Sequence, residues 1–268
     1  MQDDKTKQSQ YTEKTKSYNS SIEQLLKETQ NLDNAIKQGG VSDPELMKIK
    51  LSITMLTLIS HYLAMNQIFV SVFKKTNENL LNEARKSMHR CLTYVEDVVT
   101  KIIDAPFSDY EERLAKITAV SPAQRYALVD KIGQLINTLK EAFGKNTKWT
   151  WTFVELEARY ATVTKNLINM RDYFVNSDYE SPHYEPTVRH TRKIRELLEQ
   201  SADGYRKKYE LSSKAIEDFQ KGINYLSALR RLAIFTGDQD LALTAKKKIE
   251  TWTAKMTADA QKKEQEKK

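Results

Sequence analysis

Asp178, Glu180, His183, Glu185 and His190 lie within thirteen residues, a run of carboxylates and imidazoles of the kind that binds cations. Their spacing matches no calcium or zinc loop. Glu180 and His183 form a Glu-x-x-His pair, which serves di-iron bundles when it projects from a helix, but Pro182 puts it in a loop. Cys91 sits between Met88 and Val95 on an apolar helical stripe, where a small thiol packs as core rather than acting as a nucleophile. His61 falls inside a long apolar run and reads as a hydrogen-bonded core histidine. The chain contains no P-loop, no GxGxxG and no HExxH. These residues imply no catalytic centre, no cofactor site and no metal site, and the expectation is a protein that is not an enzyme.

The side chains that suggest contact are aromatic. Trp149 and Trp151 lie about 200° apart on a helix, so they cannot share a face. Trp149 fits the apolar stripe and Trp151 points elsewhere. Tyr179 and Tyr184 are held in a loop by Pro182 and Pro186. Tyr and Trp favour interfaces because one end tolerates water. Trp151, Tyr179 and Tyr184 are therefore the candidate interaction surface.

Composition decides which elements carry these groups. Only 7 Gly and 5 Pro punctuate the 268 residues, too few turns for a sheet-rich chain, and Lys, Glu, Leu, Ala and Gln favour helix. The net charge of +7 has its signs interspersed along most helices, which describes solvated faces rather than a nucleic-acid surface. A lone cysteine makes no intrachain disulfide and says nothing of the redox compartment.

The expected fold is all-α and elongated, with about seven helices in bundle-like regions. Residues 1–10 are expected to be flexible, 11–256 to form the bundle, and 257–268 to be a disordered charged tail. The chain is organised around Leu51–Phe73, which has no charged residue. It is long enough to cross a bilayer, but Ser, Thr, His, Asn and Gln interrupt it and the apolar stripe continues on both sides. It reads as the central helix of a bundle. Asp43-Pro44 opens that helix as N-cap and first turn. Either Pro44–Ile103 is one helix of about 90 Å, shared by two sub-bundles over residues 44–104, or it breaks within Lys74–Asn79, where the pattern is weakest. From Trp149 to Phe174 eight apolar residues follow one another at steps of four and three, a helix that opens at Asn146 or Thr147 and packs along its whole length. Pro186 leads another helical stretch to Phe235, in which Gly204 and Gly222 permit bends or close packing.

As a whole the chain resembles the flagellar coiling proteins of spirochaetes, helical proteins that sheath the periplasmic flagellar filament. The resemblance lies in the QDDKTKQ opening, which reads like a mature exported terminus, in the long helix from Pro44, and in seam after seam without a catalytic motif. It implies a periplasmic, non-enzymatic filament component whose partners are other sheath and core proteins. The rival expectation is a BAR-like membrane-surface protein, with Arg189, Arg192, Lys193 and Arg195 meeting anionic lipid.

Overall fold

The computed structural model describes residues 2–144 and 148–266. Among them are ten α-helices and no strand, so the fold is all-α. The chain divides into two compact units, residues 1–99 with 112–150 and residues 100–111 with 151–268.

The first unit begins with α1 (Gln2–Lys37). This helix starts well before Tyr11, so the flexible segment expected over residues 1–10 is helical from Gln2. Asp4 suits the start of a helix by charge, and Tyr11 anchors the first turns with its ring edge-on to Phe69 and Phe73 at 5.4 and 6.0 Å. The polar part of its seam is buried because the hydroxyls bond backwards along the helix. Thr15 donates to the Tyr11 carbonyl at 2.9 Å and Thr29 to that of Leu25 at 2.7 Å. Gly39, at φ +70°, ends the helix in the left-handed conformation.

Next come α2 (Pro44–Phe73) and α3 (Glu78–Val98). Residues 44–104 therefore do not form one helix. The break falls inside Lys74–Asn79, and local chemistry makes it. Lys74 turns left-handed at φ +56°. Asn77 caps α3 by accepting from the Asn79 and Leu80 amides with its side chain, and the side-chain Oδ1 of the buried Asn66 accepts the Asn77 amide at 2.8 Å. The two helices then run antiparallel, and Lys48 lies 3.6 Å from Asp97. The seam of α3 is buried as the pattern requires, with Cys91 at 0% exposure.

α2 is the one described helix long and apolar enough to cross a bilayer, yet only 39% of its apolar window is buried. It packs on α1, α3 and α5 (Pro122–Phe143). Its outer strip carries Thr54, Thr57, Ser60 and Ser71, whose hydroxyls bond back to its own carbonyls. It is thus a one-sided core helix rather than a surrounded one. α4 (Glu111–Ala115) leads back into this unit, and a Ser121–Gln124 capping box opens α5.

In the second unit the surrounded helix is α6 (Thr150–Asn166), buried at every residue from Tyr160 onward. The expected start at Asn146 or Thr147 lies outside the described residues. The apolar stepping persists to Phe174, but the helix stops at Asn166, and Phe174 is exposed in the one-turn α7 (Tyr173–Asn176). α8 (Tyr184–Lys208) and α9 (Ile216–Phe235) are separated by a π turn and a left-handed Lys214, so neither glycine of that stretch makes the break. α10 (Gln239–Glu266) runs through most of the segment expected to be disordered. Tyr209 at the end of α8 stacks on Phe219 at 4.8 Å, and Phe219 meets Trp252 of α10 at 5.7 Å.

Gly222 is needed for that approach. A Cβ there would lie 3.0 Å from the Ala202 carbonyl oxygen and 3.3 Å from Trp252. Backbone cannot yield as a side chain can, so Gly222→Ala should destabilise by about 1–2 kcal/mol although alanine favours helix by about 1 kcal/mol. Gly204 faces only the Val154 side chain, at 3.3 Å. Gly204→Ala should therefore be neutral or stabilising by up to about 1 kcal/mol. Urea unfolding of the two variants checks the opposite signs.

Candidate functional site

α6 ends in the sequence Thr164-Lys165-Asn166, and all three residues are buried. Burying an ammonium and an amide is costly unless their polar atoms are matched. The segment 100–111, which crosses the end of α6, supplies the matches. Asn166 Nδ2 donates to the carbonyls of Thr100 at 3.0 Å and Ile102 at 3.3 Å. Asn166 Oδ1 accepts from Lys165 Nζ at 3.0 Å, and Lys165 also reaches the Ala105 carbonyl at 3.4 Å. The ammonium stands 5.5 Å from the centre of the Tyr110 ring, within cation–π reach. On the other side of α6, a ring nitrogen of the buried His190 lies 2.8 Å from the Thr164 carbonyl.

Lys165 borders a cavity of about 410 Å³, within the size range of small-molecule sites. Pro106, Phe107, Tyr110, Met170, Leu232 and Phe235 give it a mainly apolar wall. Two arginines also line it, each held by a carboxylate: Arg171 by Glu111 and Arg231 by Asp104. Both arginines keep more than half of their side chains exposed, at 73% and 53%, and so mark the mouth. Lys165 is 6% exposed and marks the floor. Among the described residues no carboxylate lies within ion-pair distance of it. Burial alone moves its pKa, down from 10.5 to about 8. Burial likewise raises the pKa of the Tyr110 hydroxyl, which stays neutral at physiological pH.

Beside the cavity lies an aromatic surface. Phe235 lines the cavity and also meets Tyr173 at 5.3 Å and Phe174 at 5.1 Å. Phe174, Val175 and Ile234 are exposed. Tyr179 is 84% exposed, with its ring 5.4 Å from that of the half-buried Tyr184. Two of the three expected contact residues thus come together. Trp151, in the first turn of α6, is half-buried.

The acidic and histidine-rich run separates. Asp178 accepts the Glu180 amide, Glu185 pairs with Arg189, and His190 is committed to the core. Among the described residues no three His, Cys, Asp or Glu side chains are placed to hold a metal ion. His61 lies 3.0 Å from the Ser21 hydroxyl with the Tyr18 ring against it, hydrogen-bonded as expected but half-buried rather than in the core. Of the basic row on α8, Arg189, Lys193 and Arg195 pair with Glu185, Glu196 and Asp238.

Lys165 escapes a reading by periodicity because it lies off the Trp149–Phe174 stripe. One signal was present: it is the only charged residue between Tyr160 and Met170.

No curated protein matches the chain. Among solved structures, a chain from a computationally designed self-assembling cyclic homo-oligomer is similar at 13% identity, over 98% of this chain and 99% of that one, with a TM-score of 0.28; a likeness that low carries no argument. The sequence pattern of the TP0443 family, a Treponema-named family and so consistent with a spirochaete protein, matches residues 7–260. With nearly its whole length matched, the chain belongs to the TP0443 family.

Proposed function

We propose that this protein is a non-enzymatic structural component that assembles with other proteins through its outer helix faces, and that its place is the sheath of a periplasmic flagellar filament. One observation carries the assembly reading. Phe174, Val175, Tyr179 and Ile234 present large side chains to water within one unit, Phe174 packed with Tyr173 and Phe235, and Tyr179 with Tyr184. Grouped aromatic exposure of this kind marks protein contact surfaces. The filament reading rests on the likeness to flagellar coiling proteins, and membership of a Treponema-named family is compatible with it. Binding to anionic lipid is the weaker reading, because three of the four basic residues that would serve it are already paired with carboxylates.

Gentle lysis of the source cells followed by size fractionation tests the first part. The chain is expected far above its own 31.1 kDa. Migration as a monomer would contradict assembly. Probing salt-washed filaments tests the second part: the chain should be retained in them, and its presence in large complexes that lack filament proteins would end the sheath reading while leaving assembly intact.

A further inference from the structure

We propose that the cavity over Lys165 is a binding site for an amphiphilic monocarboxylate, with the carboxylate on the Lys165 ammonium and the aliphatic tail against Phe107, Tyr110, Met170, Leu232 and Phe235. The floor of the cavity has one cation and no anion. An ammonium has three N–H donors, and protein atoms accept at Asn166 Oδ1 and, at the longer distance of 3.4 Å, at the Ala105 carbonyl. A buried cation without a countercharge is the situation in which a ligand anion is worth most, since the desolvation cost has already been met in folding. The head group is a single negative charge. The other cations of the lining, Arg171 and Arg231, already hold Glu111 and Asp104, so the site lacks the donors that a phosphate dianion needs. The tail is apolar because the wall between floor and mouth is apolar. The arginines at the mouth favour the approach of an anion.

Decanoate is a suitable probe, with decanol as the tail without charge and acetate as the charge without tail. Isothermal titration of the full chain at pH 7 should show saturable decanoate binding at least tenfold tighter than that of either control. Around Lys165 the charged or titratable groups are Tyr110, Glu111, Asp104, Arg171 and Arg231, with His190 behind α6. Burial holds the pKa of Lys165 down at about 8. At pH 9 decanoate binding should therefore weaken about tenfold while decanol binding holds. Lys165→Met should weaken decanoate at least tenfold and leave decanol within about twofold. The wild-type comparison of three probes at two pH values stands without the variant should it fold poorly. Failure of decanoate to saturate the wild-type chain, equal affinity for decanoate and decanol, or unchanged decanoate binding by a folded Lys165→Met would each overturn the proposal. None of these outcomes bears on assembly through the aromatic surface.

Discussion

Asn166→Leu should destabilise the chain by about 3–5 kcal/mol, although it removes no side-chain volume. Asn166 is fully buried and its amide serves three partners, the Thr100 and Ile102 carbonyls and the Lys165 ammonium. Leucine fills the space but serves none of them. Each buried polar group left without a partner costs about 1–3 kcal/mol, and more when charged. Part of that cost belongs to Lys165, so the two positions must couple. The double variant Asn166→Leu with Lys165→Met should recover about 1–2 kcal/mol relative to additivity. Chemical unfolding of the four chains measures this. A loss below about 1 kcal/mol for Asn166→Leu would mean that the end of α6 is not bonded to the 100–105 backbone.

A large pH-dependent effect should come from Lys165 itself. Its pKa is about 8 in the folded chain against an ordinary 10.5. Below pH 8 both states hold the proton, and folding carries the whole cost of the buried charge, about 3 kcal/mol from that difference. Between pH 8 and 10.5 the folded chain releases the proton while the unfolded chain keeps it, so this contribution makes stability rise with pH. Lys165→Met has no such proton. From pH 7.5 to pH 9.5 the wild type should gain about 2 kcal/mol relative to the variant, a window that ends before most tyrosines ionise. A constant difference between the two chains would place Lys165 in water.

The all-α fold, the α3 seam from Leu81 to Val98 and the burial of Cys91 were legible because they depend on one helix and its period. The break after Phe73 was also legible, since Lys74–Asn79 lacks apolar residues and Asn77 is a good cap. What periodicity could not convey was which apolar helix would be enclosed. Leu51–Phe73 looks surrounded by composition, but Thr54, Thr57, Ser60 and Ser71 fall on one strip and bond to their own backbone, which lets that strip face water. The opposite case is Tyr160–Leu167. Its stripe accounts for one packed face, and it is enclosed all round because the distant segment 100–111 brings carbonyls to meet Lys165 and Asn166. The stop at Asn166 had the same cause. The stripe continues through Met170 and Phe174, and a pattern of side chains does not report that a neighbouring backbone has engaged the last helical residue. Tyr179 and Tyr184 were found for a local reason, two prolines holding a short loop, whereas the pairing of the exposed Phe174 with Phe235 arises only once α7 and α9 meet.

The most direct test of assembly through that surface compares the wild type with the double variant Tyr179→Ala, Tyr184→Ala in pull-down from native extract, with a melting curve for each. Residues at the centre of an interface cost about 2 kcal/mol or more each on truncation, so capture of partners should fall by more than about tenfold. Tyr179 is 84% exposed and Tyr184 half-buried, so the pair should cost about 1 kcal/mol and the melting temperature should move by no more than about 4 °C. Unchanged capture by the double variant, with a melting temperature lowered by about 5 °C or more, would show that the two tyrosines only pack the end of their unit and would contradict the account.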